Sequence, residues 1–274
     1  MYNRYIFIKY CGKGLDMGRL DSELVKRNII TSRVRAKEAI EKGEIFINNK
    51  CIKKPSFSVT FKDEIEFRGK ELEYVSRGAL KLEKAALSFN INLNDKVMID
   101  VGSSTGGFSD YALRNGIKKI YAVDVGSNQL AEKLRYETRL LSYENTDFRK
   151  FDSFIAKDVN IATIDVSFIS VIKIVDKFVE FPLLNEIICL IKPQFECGAV
   201  IASRCKGIIL DKDIHNEVIN NVIDSFSKIG FNINGLTYSP IRGGSGNIEY
   251  LAYFRKEDAV NINISNVIEE AFKL

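Results

Sequence analysis

A strand-length apolar run at residues 97–101 (VMIDV) passes directly into GSSTGGF at 102–108. Three glycines in such a short stretch let the backbone take positive φ and approach a ligand closely. A strand that ends in a glycine loop and reopens as a helix is how an open α/β sheet builds a ligand crevice, at the carboxyl end of its strands. The rest of the chain follows the same rhythm. A helix at 79–89 precedes the first strand, and a second runs from about 108 to 115. KIYAVDV at 119–125 reads as a strand, and 129–136 as a helix. Residues 140–143 form a weak strand, NIATIDV at 160–166 a stronger one, and 170–181 a helix. EIICLIK at 186–192 is a strand closed by Pro193, and 212–229 is a long helix. Two last strands, 232–238 and 249–254, lie close together in sequence. Alternation of this kind predicts a doubly wound, mostly parallel sheet with helices on both faces and an antiparallel edge strand.

The first seventy residues read differently. Residues 19–26 form a short amphipathic helix, and Thr31 or Ser32 can cap a second over 33–42. That helix offers Val34, Ala36, Ala39 and Ile40 to a core, and Gly43 ends it. EIFIN at 44–48, an Asn48-Asn49 turn, a short strand at 51–53 and an alternating stretch at 57–67 complete a small α+β module. The expected organisation is therefore 18–68 for this module, 69–78 for a linker and 79–274 for the α/β domain. Charge divides unevenly along the chain. Residues 1–80 hold 17 Lys/Arg against 11 Asp/Glu, and the remainder 23 against 25. Arg19, Lys26, Arg27, Arg33, Arg35 and Lys37 concentrate that excess around the two helices, as phosphate contacts require. The module resembles the ribosomal-protein-S-four-like RNA-binding domain in RLD at 19–21, SR at 32–33, the helix ending at Gly43 and the Ile-x-Ile-Asn strand at 45–48. The resemblance implies an RNA partner.

Several function classes are disfavoured. The cysteines at 11, 51, 189, 197 and 205 form no Cys-x-x-Cys pair, and His215 stands alone. A zinc site is not expected, nor any other metal, and unpaired cysteines fit a reducing, cytoplasmic setting. No apolar run approaches the ~20 residues of a membrane span. The opening MYNRYIFIKYCGKG is too short in apolar residues for a signal peptide, and Met17 is a candidate translation start. His215 reads as a polar residue near a helix start, and Cys197 and Cys205 as flanking a mobile loop. RGGSGN at 242–247 is either an anion-binding turn or a plain connection.

The glycine loop lacks the spacing of a dinucleotide fingerprint and of a phosphate-binding P-loop. It does coincide with Asp124, which ends the next strand and can bind both ribose hydroxyls of a nucleoside. A carboxylate there suits S-adenosylmethionine better than a pyrophosphate. Gly102, Ser103, Ser104, Gly106, Gly107, Phe108, Asp124, Val125, Asp147 and Phe148 are the expected cofactor contacts, with Asp147 placed for the adenine amino group. Four further charges, Lys81, Asp165, Lys192 and Glu249, stand where apolar neighbours predominate. Such residues are costly unless paired, and so tend to be functional.

Over nearly its whole length from about Gly18 the sequence resembles the haemolysin-A-like (TlyA) family of ribosomal RNA 2′-O-methyltransferases, whose catalytic domain is FtsJ-like. The matching segments are SRGALKLEKA at 76–85, DVGSSTGGFSD at 100–110, YAVDVGSNQLAEKLR at 121–135, DVSFIS at 165–170 and IKPQFE at 191–196. The resemblance implies a Rossmann-like S-adenosylmethionine-dependent domain with Lys81, Asp165, Lys192 and Glu249 as a catalytic tetrad. It also implies ribosomal RNA or a ribosomal subunit as partner, and a cytidine ribose as target. A lysine serves as base only when burial or a neighbouring cation lowers its pKa. Lys192 is the expected base, oriented by Asp165, with Lys81 and Glu249 steering the 2′-hydroxyl. The alternatives are a catalytically silent ribosome-assembly factor, a literal haemolysin, for which no amphipathic hairpin or long apolar segment is present, and a pseudouridine- or tRNA-modifying enzyme sharing the RNA-binding module, against which the cofactor cradle argues. A monomer is expected.

Overall fold

The computed structural model describes residues 6–8, 18–27, 29–30, 33–69 and 74–274. The Met17 start, the Thr31/Ser32 cap, Cys11, the Val34 side chain and residues 70–73 of the expected linker lie outside the described residues. The chain divides into two compact units, 1–71 and 72–274.

The first unit holds β1 (Ile6–Ile8), β2 (Gly18–Arg19), α1 (Leu20–Lys26), α2 (Arg33–Glu41), β3 (Ile45–Ile47), β4 (Lys50–Cys51), β5 (Ser58–Val59) and β6 (Ile65–Phe67). Its four-stranded antiparallel sheet has the order β1-β6-β3-β4, and β2 pairs with β5. Leu20 and Leu24 of α1, Ala36 and Ile40 of α2, Ile45 and Val59 are fully buried and join the helices to the strands. Asn48 and Asn49 both have positive φ, the two-residue turn that lets β3 fold back on β4. The stretch 57–67 is not one strand. The Asp63 carboxylate accepts from the Thr60 N–H at 2.7 Å and the Thr60 hydroxyl at 2.9 Å, folding 60–63 into a turn between β5 and β6.

The second unit is the doubly wound domain. In chain order it contains α3 (Ala79–Phe89), β7 (Val97–Val101), α4 (Gly107–Arg114), β8 (Lys119–Val123), α5 (Glu132–Arg135), β9 (Leu140–Tyr143) and β10 (Ile161–Ile164). Then come β11 (Glu186–Ile191), α6 (Pro193–Glu196), α7 (Ala199–Arg204), α8 (Lys212–Lys228), β12 (Asn232–Tyr238), β13 (Tyr250–Arg255) and α9 (Ile264–Ala271). The seven-stranded sheet has the order β12-β13-β11-β10-β7-β8-β9. β7 through β11 pair in parallel, and β13 runs antiparallel to both of its neighbours. The antiparallel strand is thus one place in from the edge. Its first five residues, YLAYF, are all buried, as an interior strand's must be, whereas the Asn- and Gly-bearing β12 takes the solvent side.

Helices cover both faces. Phe178, Val218, Val222 and Phe226 pack on one face, where the Phe226 and Phe254 rings stack at 4.2 Å. Leu82, Ala85, Phe108, Ala112 and Leu134 pack on the other. Each such fully buried Phe or Leu contributes about 1.5–3 kcal/mol. The helix expected at 170–181 is a 3-10 helix, Val171–Glu180, and that expected at 129–136 shortens to α5. α7 occupies the stretch between Cys197 and Cys205 in place of a loop. α9, not foreseen, packs against α8 and β12. From β7 the chain first adds β8 and β9 on one side, then returns to add β10 and β11 on the other. The order reverses between β7 and β10, and there the carboxyl ends of the strands open a crevice.

Candidate active site

At the mouth of the crevice the ends of β7 and β10 nearly touch. Gly102 has φ +83°, and a Cβ on it would lie 2.7 Å from the Asp165 carbonyl oxygen. Only glycine fits there. At Gly107 a Cβ would meet the Ser76 hydroxyl at 2.3 Å and the Ala79 nitrogen at 2.9 Å, so α4 begins hard against the start of α3. The loop between is pinned by Asp124 at the end of β8. Its two carboxylate oxygens accept from the Ser104 N–H at 2.8 Å and the Gly126 N–H at 2.7 Å. Each oxygen keeps a second lone pair for an incoming hydroxyl. Beneath the loop, Asp100 is fully buried and accepts from the Ser109 hydroxyl at 2.7 Å and the Thr163 hydroxyl at 2.9 Å, tying β7, α4 and β10 together. Burial, only partly offset by those two hydrogen bonds, pushes its pKa to about 6.

The structure draws Lys81, Asp165, Lys192 and Glu249 into one row of alternating charge. Lys81, in the first turn of α3, donates to Glu249 Oε2 at 2.8 Å and lies 3.6 Å from Asp165 Oδ2. Lys192, directly after β11, lies 2.6 Å from Asp165 Oδ1 and donates to the Ser167 hydroxyl at 2.9 Å. The four side chains are only 4–20% exposed. Isolated buried ions cost several kcal/mol each, and alternation of sign offsets that cost. Asp165 Oδ1, despite its short contact with Lys192, has no aligned hydrogen-bond donor. Burial would lower the Lys81 pKa, but the Asp165 and Glu249 carboxylates outweigh it and hold the ammonium above its ordinary value. Burial thus does not lower Lys81, because a carboxylate flanks it on each side. Asp165 is conversely held low: burial pushes it up, and the two lysines more than reverse that. Pro193 opens α6 directly after Lys192 and stops β11 there.

Other expected contacts take different places. Ser103 lies in the loop between strand and helix, and Gly106, at φ +88°, caps α4. Val125 is 73% exposed beside Asp124. The side chains of Phe108 and Phe148 are core residues, Phe148 stacked with Phe181 and tilted against Phe178, so neither ring is open to a ligand. Asp147 caps the turn that follows it and pairs with Arg149 at 2.6 Å. In the first unit the Arg27 side chain is only 8% exposed, bound to Glu23 and to the Thr60 carbonyl; it is a structural strut. Arg19 and Arg33, each more than half exposed, both grip the buried Asp21. Lys26 and Lys37 are exposed, and Arg35 is half-buried. His215 is fully buried, its ring nitrogens within hydrogen-bond distance of the Tyr250 hydroxyl (2.6 Å) and the Ile209 carbonyl (3.0 Å). In the 242–247 turn the Gly243 N–H donates to the Asn247 carbonyl and the Gly246 N–H to the Gly243 carbonyl. A Cβ on Gly243 would strike the Glu249 carboxylate, so the turn packs directly on Glu249.

Two residues of the crevice were missed. Ser167 receives the Lys192 bond, and Phe168 stands 92% exposed at φ +63°, its ring 5.2 Å from that of Phe195. Both lie inside DVSFIS, but an aromatic in an apolar run reads as core. Among the described residues no group of three or more His, Cys, Asp or Glu could hold a metal, and no helix is long and apolar enough to cross a membrane.

A glycine-cradled strand end beside a carboxylate at the next strand is the frame of a nucleoside-binding transferase, and comparison with known proteins gives it a family. The FtsJ-like methyltransferase family matches residues 74–256, and the S4 domain matches 18–65. YqxC of Bacillus subtilis is 41% identical over 93% of this chain and 94% of its own length. The 23S rRNA (cytidine-2′-O)-methyltransferase TlyA of Campylobacter jejuni is 35% identical over 85% of this chain and 97% of its own. A solved hemolysin-named protein from Streptococcus thermophilus superposes with a TM-score of 0.73 at 38% identity, covering 95% of this chain and 97% of that one. The chain belongs to the FtsJ-like methyltransferase family, in its TlyA branch, and its cofactor is S-adenosylmethionine.

Proposed function

We propose that this protein methylates the ribose 2′-hydroxyl of a cytidine in ribosomal RNA. The 79–274 domain carries the chemistry, and the 18–68 module binds RNA through Arg19, Lys26, Arg33, Arg35 and Lys37. The observation that carries the reading is the buried Glu249–Lys81–Asp165–Lys192 row at the switch point of the sheet. The TlyA relative, named for cytidine 2′-O-methylation, supports the same target.

The residues present fit the cofactor. The Gly102 cradle leaves no room for a side chain, and Asp124 keeps lone pairs for two ribose hydroxyls. When bound, S-adenosylmethionine supplies an electrophilic methyl group. Lys192, in its neutral amine form, would take the 2′-hydroxyl proton as that oxygen is methylated. Asp165 fixes the Lys192 amine by its 2.6 Å contact. Lys81, kept protonated between two carboxylates, donates toward the substrate oxygen, and Glu249 holds Lys81 in place. The exposed Phe168 ring offers a face on which a base can stack.

Two measurements test the proposal. Mapping 2′-O-methylation in ribosomal RNA from cells with and without the protein should show one or more cytidines losing the mark; identical maps would remove the reading. Lys192→Ala should abolish methyl transfer while cofactor affinity stays within about threefold, and retained turnover would refute Lys192 as the base.

A further inference from the structure

Two segments of the crevice, 165–171 and 192–196, grip each other at both ends. At the near end Lys192 holds Asp165 and Ser167. At the far end the Glu196 carboxylate accepts from the Ser170 hydroxyl at 2.6 Å and from the Val171 N–H at 2.8 Å. Between these grips stands Phe168. Left-handed backbone costs a residue with a Cβ about 1–2 kcal/mol. Burial does not offset that cost, because the ring is 92% exposed. The ring's one packed aromatic neighbour is Phe195, which precedes Glu196. Such a conformation persists only where the surroundings impose it. The upstream anchor is the sheet itself, through the Asp165 N–H to the Val101 carbonyl at 2.9 Å. The downstream anchor is Glu196.

We propose that Glu196 is a positioning residue for methyl transfer. Its carboxylate fixes the downstream end of the 165–171 loop, so that Asp165 and Ser167 meet Lys192 and Phe168 stays projected into solvent. The inference rests on the proposed role of Lys192 and Asp165. The carboxylate is kept at an energetic cost: burial raises its pKa, and the bonds from Ser170 and Val171 only partly bring it down.

The chain contains no tryptophan, so Phe168→Trp gives a single reporter on the loop. In that background Glu196→Ala should lower the indole anisotropy, and in the chain with Phe168 intact it should reduce kcat at least tenfold. The affinity for S-adenosylmethionine should stay within twofold. Glu196→Gln keeps an acceptor for the Val171 N–H and should recover kcat to within about threefold of the parent. Unchanged anisotropy and kcat in Glu196→Ala would overturn the proposal, as would a loss of cofactor affinity in proportion to kcat. If Glu196→Ala does not fold, Ser170→Ala decides, since it removes one grip without opening the crevice; it should cut kcat several-fold, and no effect refutes the clamp. Should the wild-type chain methylate no RNA while the anisotropy still falls in the Phe168→Trp pair, the functional reading fails and the clamp stands.

Discussion

Replacing Asp100 with Asn should stabilise the methyltransferase domain, and by an amount that grows with pH. Asp100 is fully buried among apolar strands, with hydroxyls of Ser109 and Thr163 as its only hydrogen-bond donors. Its pKa rises from 3.8 to about 6 because burial disfavours the charged form, with smaller repulsion from Asp165 and Asp124. A carboxyl that binds its proton more tightly when folded contributes most below pH 3.8 and loses that contribution as pH rises through about 6. The full swing is about 3 kcal/mol, at about 1.4 kcal/mol per pKa unit. About half of it, roughly 1.4 kcal/mol, falls between pH 5 and pH 8, where the linkage function is still rising. Asn offers the same shape with no charge, and the Ser109 and Thr163 hydroxyls can rotate to suit its amide. The stability difference between Asp100→Asn and the parent should therefore grow by about 1.4 kcal/mol from pH 5 to pH 8, whatever constant offset the amide geometry adds. Urea unfolding of the full chain at four pH values, followed by far-UV circular dichroism, reads this directly. A difference that stays flat across that range, or shrinks, would show that Asp100 is not the strained carboxylate described here.

Three further outcomes are expected. Lys81→Met leaves the 4%-exposed Glu249 carboxylate without its partner and should cost about 3–5 kcal/mol in urea unfolding, partly restored by adding Glu249→Gln; a loss below about 1 kcal/mol would contradict the pairing. Gly102→Ala forces a Cβ to 2.7 Å from the Asp165 carbonyl at φ +83°, so titration calorimetry should show S-adenosylmethionine affinity reduced at least tenfold, and unchanged affinity would rule out this crevice as its site. Asp21, held to a pKa of about 2 chiefly by Arg19 and also by Arg33, stabilises the first unit above its unfolded pKa, and that contribution fades as pH falls through about 2. Asp21→Asn should therefore lower the melting temperature at pH 7, and equal melting temperatures would show that the two arginines do not need the carboxylate.

The α/β alternation was legible because buried parallel strands must be near-continuous apolar runs, and VMIDV, NIATIDV and EIICLIK are. The crevice was legible because glycine at 102 has a steric reason that a sequence shows plainly. What the sequence hid was mostly local hydrogen bonding. Nothing in the alternation at 57–67 announces that Asp63 will turn back on Thr60. Phe108 and Phe148 sit beside ligand-binding motifs, yet their rings point into the core, a direction set by packing and not by motif spacing. Arg27 looked like its neighbours in charge, but only the fold shows that its guanidinium is spent on the Thr60 carbonyl. Phe168 is the opposite case: an aromatic in an apolar run that the backbone turns outward.

The charge of the crevice explains why a cationic cofactor suits it better than a dinucleotide. Among the described residues at and beneath these strand ends, the carboxyl groups of Asp100, Asp124, Asp165 and Glu249 outnumber the amines of Lys81 and Lys192, so the site is richer in acidic than in basic groups. A pyrophosphate would add to that excess. The cofactor bears a sulfonium and an ammonium against one carboxylate, and so reduces it. Opposite charges attract more strongly in a partly buried site than in water, and the preference is correspondingly sharp. The two central carboxylates divide the work by environment. Asp165, flanked by lysines, stays ionised and fixes Lys192, whereas Asp100, with only hydroxyl partners, is the one whose proton is easily regained. Methyl transfer then discharges the sulfonium. The demethylated product would lose the attraction that the donor's sulfonium provides. Turnover is thereby favoured by the same acidic excess that first selects the cofactor.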